Sequence, residues 1–400
     1  VDRITSAIPE AGPADTAALR EIDPDELARY VLDPKNPWWR RRRCAEALAR
    51  RVPEARVPGL LDRIRDPRES TDVRLALLDV LGHREELLPW LLHDDQRGDT
   101  SVRIREAMLK ARGEAGDLTA AAGLSTLAYD EWRHRRAKGR AGLDALVQRY
   151  GSAAVDRLLG DRPEDRAFRV RMRHRAGEEF VPALADPDVG VAYQAYSLAW
   201  DEEALRAFAR EAPTVEGALW AALGLYDLTD DLDETRAIDE ALGRPRVEVQ
   251  GLDEELRAVI VHQYVPGCEE RTDPRWRMEA LLTEPPPPTD VEGQLRRASD
   301  ALARAGRSPE PPVHCGEHYR QGTGTYHVVK CAGGTVLVST LGRFVTGPDE
   351  ATQVRAPLEA AGFRWIDDDL GAITVDGLCV YWFGTRDPIN VRALLFSWQD

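Results

Sequence analysis

The sequence predicts a mainly α protein: an α-solenoid of short helical hairpins, followed by a small α+β domain with an antiparallel sheet. Three observations carry this. An Asp-Pro turn followed by small apolar residues returns along the chain. Those apolar residues are spaced for one face of a helix. After a proline break, the apolar spacing changes to that of strands.

The stretch LDPKNPWWRRRRCAEAL (32–48) aligns with RDPRESTDVRLALLDVL (65–81) at an offset of 33. Asp33-Pro34 falls on Asp66-Pro67, Arg41 on Arg74, Cys44 on Leu77 and Leu48 on Leu81. A third copy, ADPDVGVAYQAYSLAW (185–200), keeps Asp186-Pro187, and looser copies cover 93–109, 129–146, 161–176, 212–225 and 251–264. Intervals of roughly 25 to 35 residues hold two short helices and two turns. Asp-Pro sets the turn, and proline is tolerated at a helix's first position. One such hairpin cannot bury its apolar stripe alone, whereas stacked neighbours can.

Proline then interrupts the array. LLTEPPPPTD (281–290) and RSPEPPV (307–313) are stiff spacers. Between them VEGQLRRASDALARAG (291–306) reads as one amphipathic helix, expected to cap the last repeat. Beyond 314, TYHVVK and GTVLVSTL flank CAGG as a hairpin with a glycine turn. DEATQVRAPLEAAGF (349–363) reads as a helix despite Pro357, GAITVDGLCVYWFG as a second hairpin around Asp376-Gly377, and VRALLFSWQ as a last strand. The expected division is 1–282 (solenoid), 283–313 (proline-rich linker with one helix) and 314–400 (α+β domain).

Composition narrows the function. With 43% hydrophobic and 31% charged residues the chain is globular. No run approaches 18 apolar residues, so no membrane partner is expected. The start lacks the apolar core of a signal peptide, and a chain beginning at Val1 reads as trimmed. Five scattered cysteines argue against a disulfide framework and for a reducing cytoplasm. The net charge of −15 opposes general nucleic-acid binding, but it is unevenly spread. Residues 1–180 hold 34 Lys and Arg against 32 Asp and Glu, and residues 181–400 hold 20 against 37.

The turn and second-helix pattern resembles the HEAT and HEAT-like repeats over about residues 20–280. It is clearest at Asp66-Pro67, Val73-Arg74 and Leu77, Val80 and Leu81. The resemblance implies that Arg41 and Arg74 are structural, each bonding a turn aspartate of its own or a neighbouring repeat, here Asp33, Asp66 or residues beside them. Arg42 stands four residues before Glu46, the spacing of an exposed helical ion pair. It remains a candidate for gripping together with other arginines. Arg40, Arg42, Arg43, Arg50 and Arg51 form one cluster, Arg133, Arg135, Arg136, Lys138 and Arg140 a second, and Arg166, Arg169, Arg171, Arg173 and Arg175 a third. Stacked repeats would merge them into a basic stripe for an acidic protein surface or a phosphate backbone. The competing reading pairs them with acids of adjacent helices. Trp38 and Trp39 open the first cluster, one to staple the helix entry, the other free to stack on a base.

HEAT-like repeats also occur in a family of alkylpurine DNA glycosylases, where a basic groove holds the duplex and an aspartate aids cleavage. Asp227 follows Trp220 by seven residues here, but the family's motif does not match residue by residue, so no catalytic residue is assigned.

One set has metal-like spacing: Cys315 and His318, then His327 and Cys331. Four such ligands could hold zinc, yet four residues of strand between the last two span about 13 Å, so a buried cysteine and surface histidines are the simpler reading. Phosphate-loop, HExxH and GxSxG motifs are absent. The expected protein is a non-catalytic scaffold that binds a protein partner along its concave face, without a cofactor. The alternative is a nucleic-acid-binding HEAT-like protein, glycosylase-like in repair or self-protection.

Overall fold

A computed structural model describes residues 3–93, 101–268, 270–348, 352–380 and 389–399. The chain divides into two compact units, 1–172 and 173–400. Helices fill the first unit and the second up to residue 304, and strands begin at Val313.

In the first unit the helices used below are α1 (Pro24–Leu32), α2 (Trp38–Ala47), α3 (Val57–Arg65), α4 (Thr71–Leu81), α5 (Val102–Glu114), α6 (Ala121–Ala128) and α7 (Arg133–Tyr150). α8 (Pro163–Ala176) runs across the division between the units. Helix α1 packs on α2 and α3 on α4, giving two antiparallel-type hairpins. Each hairpin turns at its Asp-Pro. Asp33 accepts from the Lys35 amide and Asp66 from the Arg68 amide, both at 2.9 Å. In the second unit Asp186 accepts from the Asp188 amide at the same 2.9 Å. These are Asx turns: the aspartate side chain stands in for a backbone carbonyl, and proline fixes the residue after it. The second helices then lie in a row, α2 on α4, α4 on α5 and α5 on α7. Leu27, Val31, Cys44, Leu48, Leu60, Ile64, Leu77 and Leu81 are all nearly sealed from water in one core.

The approach of α5, α6 and α7 depends on glycine. A Cβ on Gly139 would stand 2.2 Å from the Ala128 amide nitrogen, and one on Gly113 would stand 2.8 Å from the Gly142 carbonyl oxygen. Neither backbone atom can yield as a side chain could.

The second unit continues with α9 (Val189–Tyr196), α10 (Glu202–Glu211), α11 (Val215–Thr229), α12 (Leu232–Ala241), α13 (Glu254–Tyr264), α14 (Pro274–Leu282) and α15 (Val291–Arg304). A five-stranded sheet follows: β1 (Val313–His314), β2 (Tyr326–Cys331), β3 (Gly334–Ser339), β4 (Phe344–Thr346) and β5 (Arg364–Trp365), in chain order across the sheet, with α16 (Thr352–Ala360) before β5. All pairings are antiparallel except β4 with β5, which is parallel because α16 crosses between them. The expected CAGG hairpin forms, with Cys331 opposite Gly334 and Gly333 at φ 111°.

The sheet is covered on both faces. Val328 and Phe344 share a core with Leu256, Ile260 and Trp276 of α13 and α14. Val329, Val336, Val338 and Val345 share another with Ala298, Ala301 and Leu302 of α15 and with Val354 and Leu358 of α16. Alternation along β2 directs neighbouring valines to opposite faces. Thus α15 lays its apolar stripe on the sheet instead of capping a helical repeat.

Two expectations beyond 364 differ from the structure. Asp376-Gly377 does not join two strands. Its carbonyls receive the Trp276 indole N–H at 3.0 Å and the Asp273 amide at 2.8 Å, so the turn docks on the start of α14. The strand Thr374–Val375 pairs instead with Ile389–Asn390, and residues 381–388 of the expected hairpin lie outside the described residues. VRALLFSWQ forms a short helix, Val391–Leu395, before a two-residue strand, Trp398–Gln399, that pairs with Thr323–Gly324. Asn390 caps that helix by accepting from the Ala393 amide, which favours the helix over a strand. Residues 349–351 and 94–100, parts of two other expectations, also lie outside the described residues.

Candidate partner-binding groove

Polar contacts in the first unit recur at one sequence offset. Arg56 meets Asp25, Arg103 meets Asp72 and Lys110 meets Asp79, each pair separated by 31 residues, and Lys138 meets Glu106 at 32. The distances are 2.7, 3.3, 2.9 and 3.1 Å. Equivalent positions on successive helices are therefore lateral neighbours.

Where α2, α4, α5 and α7 line up, their side chains enclose a cavity of about 430 Å³. Arg42 and Glu46 come from α2, Asp72 and Asp79 from α4, Arg103 from α5, and His134 and Lys138 from α7. The charges alternate across the row. Arg42 donates to Glu46 at 2.8 Å and lies 3.9 Å from Asp72, which also faces Arg103. The Glu46 hydrogen bond chiefly raises the Arg42 pKa above the ordinary arginine value. Deeper in, the largely buried Glu106 is bracketed by Arg135 at 2.6 Å and Lys138 at 3.1 Å.

The arginine clusters mostly find partners inside the fold. Arg40 is buried, donates to the Ile8 carbonyl at 2.9 Å and lies 4.5 Å over the Trp39 ring. Arg41 donates to the Asn36 carbonyl and to Glu69, and Arg74 to the Ile64 carbonyl. The turn acid that Arg41 takes is thus Glu69 of the next hairpin, not an aspartate. Arg51 reaches the carbonyls of Leu19, Arg20 and Ile22, which end the helix Thr16–Arg20. Arg136 is buried on the carbonyls of Asp130 and Glu131. Arg169 takes Asp156 at 2.6 Å, Arg171 takes Asp144 at 3.1 Å and Arg166 the Asp161 carbonyl at 2.8 Å. Arg43 shares Glu46 and is half exposed. Arg50, Arg133 and Arg173 are exposed and carry no side-chain partner among the described residues, whereas Arg140 and Arg175 do have partners. The first two clusters meet at the groove through Arg42 and Lys138; Arg169 and Arg171 do not line it. Trp39 packs on the first core and Trp38 stays 47% exposed at the start of α2.

The metal-spaced set is dispersed. Cys315 is sealed in one core of the second unit, while Cys331 lies against the other and donates to the Gly334 carbonyl. His318 is exposed beside Tyr319, and His327 lies edge-on to His314. Among the described residues no three His, Cys, Asp or Glu side chains are gathered as a metal would need. The His314–Cys315 neighbours are not a catalytic pair either. His314 Nδ1 accepts from the Gly316 amide, so Nε2 carries the proton and faces the Gly324 carbonyl at 3.2 Å. That tautomer leaves no lone pair toward the thiol 3.9 Å away.

Asp227 does lie near Trp220, through Tyr196. Tyr196 donates its hydroxyl to Asp227, and its ring is 4.9 Å from that of Trp220. Trp220 is fully buried, and the Arg277 guanidinium already sits 5.5 Å over its ring. The aromatic surface is therefore used internally.

Compared with known protein families, with curated proteins and with solved structures, the chain matches none. The site rests on its geometry alone. Sequence reasoning overlooked Asp72, Asp79 and Arg103, which line the groove, Glu106, which holds its Lys138, and His134, which also lines it. Reading charged residues at the repeat offset, rather than as basic clusters, would have found the first four.

Proposed function

We propose that the helical pairs are HEAT-like repeats stacked as an α-solenoid, and that the chain is a non-catalytic scaffold whose groove holds a protein partner. One observation carries the choice of partner: the groove between α2, α4, α5 and α7 presents alternating positive and negative groups. An extended peptide with acids and bases in alternation can pair with such a row, and the row would reject mismatched sequences. A phosphate backbone gains affinity from cations that displace counterions, and here Glu46, Asp72 and Asp79 stand among the groove's cations, where they would repel it. This alternation speaks against the nucleic-acid alternative. The five cysteines are all unpaired, which fits a reducing cytoplasm.

Among the described residues no helix is long and apolar enough to cross a membrane. The test is selection from a library of extended peptides, run beside retention on double-stranded DNA at low salt. Enrichment of mixed-charge peptides without DNA retention supports the scaffold. DNA retention that collapses between low and moderate salt, with no peptide enriched, refutes it.

A further inference from the structure

A second cavity, of about 410 Å³, lies wholly in the second unit. Its walls are α12, the turn after it and the end of α14. Pro245, Met278 and Leu282 give it aliphatic sides. Asp239 lines it from α12 and is only 9% exposed. Among the described residues, the Asp239 carboxylate accepts no hydrogen bond and has no cation within ion-pair distance. Its oxygens are not among the unpaired atoms closed off from solvent, so they open into the cavity that the residue lines. A charge so nearly buried and without a partner costs the fold stability.

The other charges at the cavity are already matched. Arg236 donates to Asp233 at 3.0 Å. Arg246 takes Glu254 and Glu279, both at 3.0 Å, and Glu279 also holds Arg257 at 2.6 Å. Arg244 only partly offsets the burial of Asp239. Gly243 and Arg244 take left-handed φ angles of 82° and 54°, and the Arg244 side chain, 70% exposed, runs to Glu240 at 2.6 Å. One negative charge is left over, and it calls for a cation. A divalent metal would need several more oxygens, but Glu240 and Glu279 are held by arginines. The aliphatic walls suit a cation on a hydrocarbon stem.

We propose that this cavity binds a primary alkylammonium group. The ammonium donates charge-assisted hydrogen bonds to Asp239, and its stem lies along Pro245, Met278 and Leu282. The volume lies in the range of small-molecule sites, about 300–1,000 Å³.

Isothermal titration of the full chain with pentylamine, methylamine, 1-pentanol and Nα-acetyl-lysine amide tests it. Pentylamine should bind about tenfold or more tightly than methylamine, and 1-pentanol not at all. Asp239→Asn should weaken pentylamine about tenfold or more, while the ligand-free variant melts no lower than wild type. Glu203→Gln, an equal charge change at an exposed position of α10, should leave binding unchanged. Nα-acetyl-lysine amide binding as tightly as pentylamine assigns the site to a lysine side chain of a partner; pentylamine binding alone assigns it to a free amine. No heat at millimolar pentylamine overturns the proposal. So does binding that survives Asp239→Asn, or an equal loss in Glu203→Gln. A melting temperature lowered by Asp239→Asn overturns it too, by making the carboxylate a structural group.

Discussion

Arg41 on one helical hairpin meets Glu69 in the turn of the next at 2.5 Å, with their side chains 7% and 2% exposed. The pair ties successive hairpins where no water can substitute for either partner. A buried pair adds little over an apolar replacement, but losing one member strands the other charge. Glu69→Ala should therefore cost about 3–5 kcal/mol in urea unfolding. The paired change Arg41→Met with Glu69→Leu should cost clearly less.

The contact of α6 with α7 sets a second expectation. Gly139→Ala forces a Cβ into the Ala128 backbone, so the helices must separate. The change should destabilise by about 1–3 kcal/mol despite alanine's better helix propensity. Gly151, with nothing within 4 Å of a Cβ but φ at +83°, should also resist alanine, through backbone strain alone.

Asp239 makes stability depend on pH. It is buried at the end of α12, and burial raises its pKa above the ordinary aspartate value, with Arg244 opposing and Glu240 adding. A carboxyl whose folded pKa is raised favours folding below its unfolded pKa, near 3.8, and that contribution is lost as pH rises through the folded pKa. Asp239→Asn should raise the melting temperature at neutral pH and bring no gain below the unfolded pKa. Melting curves across that range check the sign.

Cysteine reactivity gives a fourth. Cys315 is sealed in its core. Burial also pushes the Cys331 thiol above its usual pKa. Both Cys268 and Cys331 are partly buried, and under native conditions a thiol reagent should label Cys268 before Cys331, whose thiol is the harder to ionise. Cys315 should label only on unfolding. Rapid native labelling of Cys315 would contradict that burial.

Much of the helical region was legible because its signals are local. Asp-Pro announces an Asx turn, and the i, i+3, i+4 spacing announces a buried face. The hairpin at CAGG was legible for the same reason. The rest depends on partners distant in the chain. Nothing local to Asp376-Gly377 reveals that its carbonyls serve Trp276 and Asp273, about a hundred residues earlier. Nothing in VEGQLRRASDALARAG says whether its apolar stripe meets a repeat or a sheet. The arginine clusters looked free because their acids, such as Asp144 for Arg171 and Glu106 for Arg135, lie 27 and 29 residues away and on other helices.

The proposed partner groove is tested most directly by reversing one of its charges. Lys138→Glu places an acid beside Glu106 and inverts one position in the alternating row. Take a peptide enriched by the wild-type chain and measure its Kd against both proteins, beside the same peptide with one acid changed to lysine. The account predicts a crossover: the variant loses about tenfold for the original peptide and recovers it for one lysine-bearing peptide. Equal affinities throughout, with both proteins correctly folded, would contradict it.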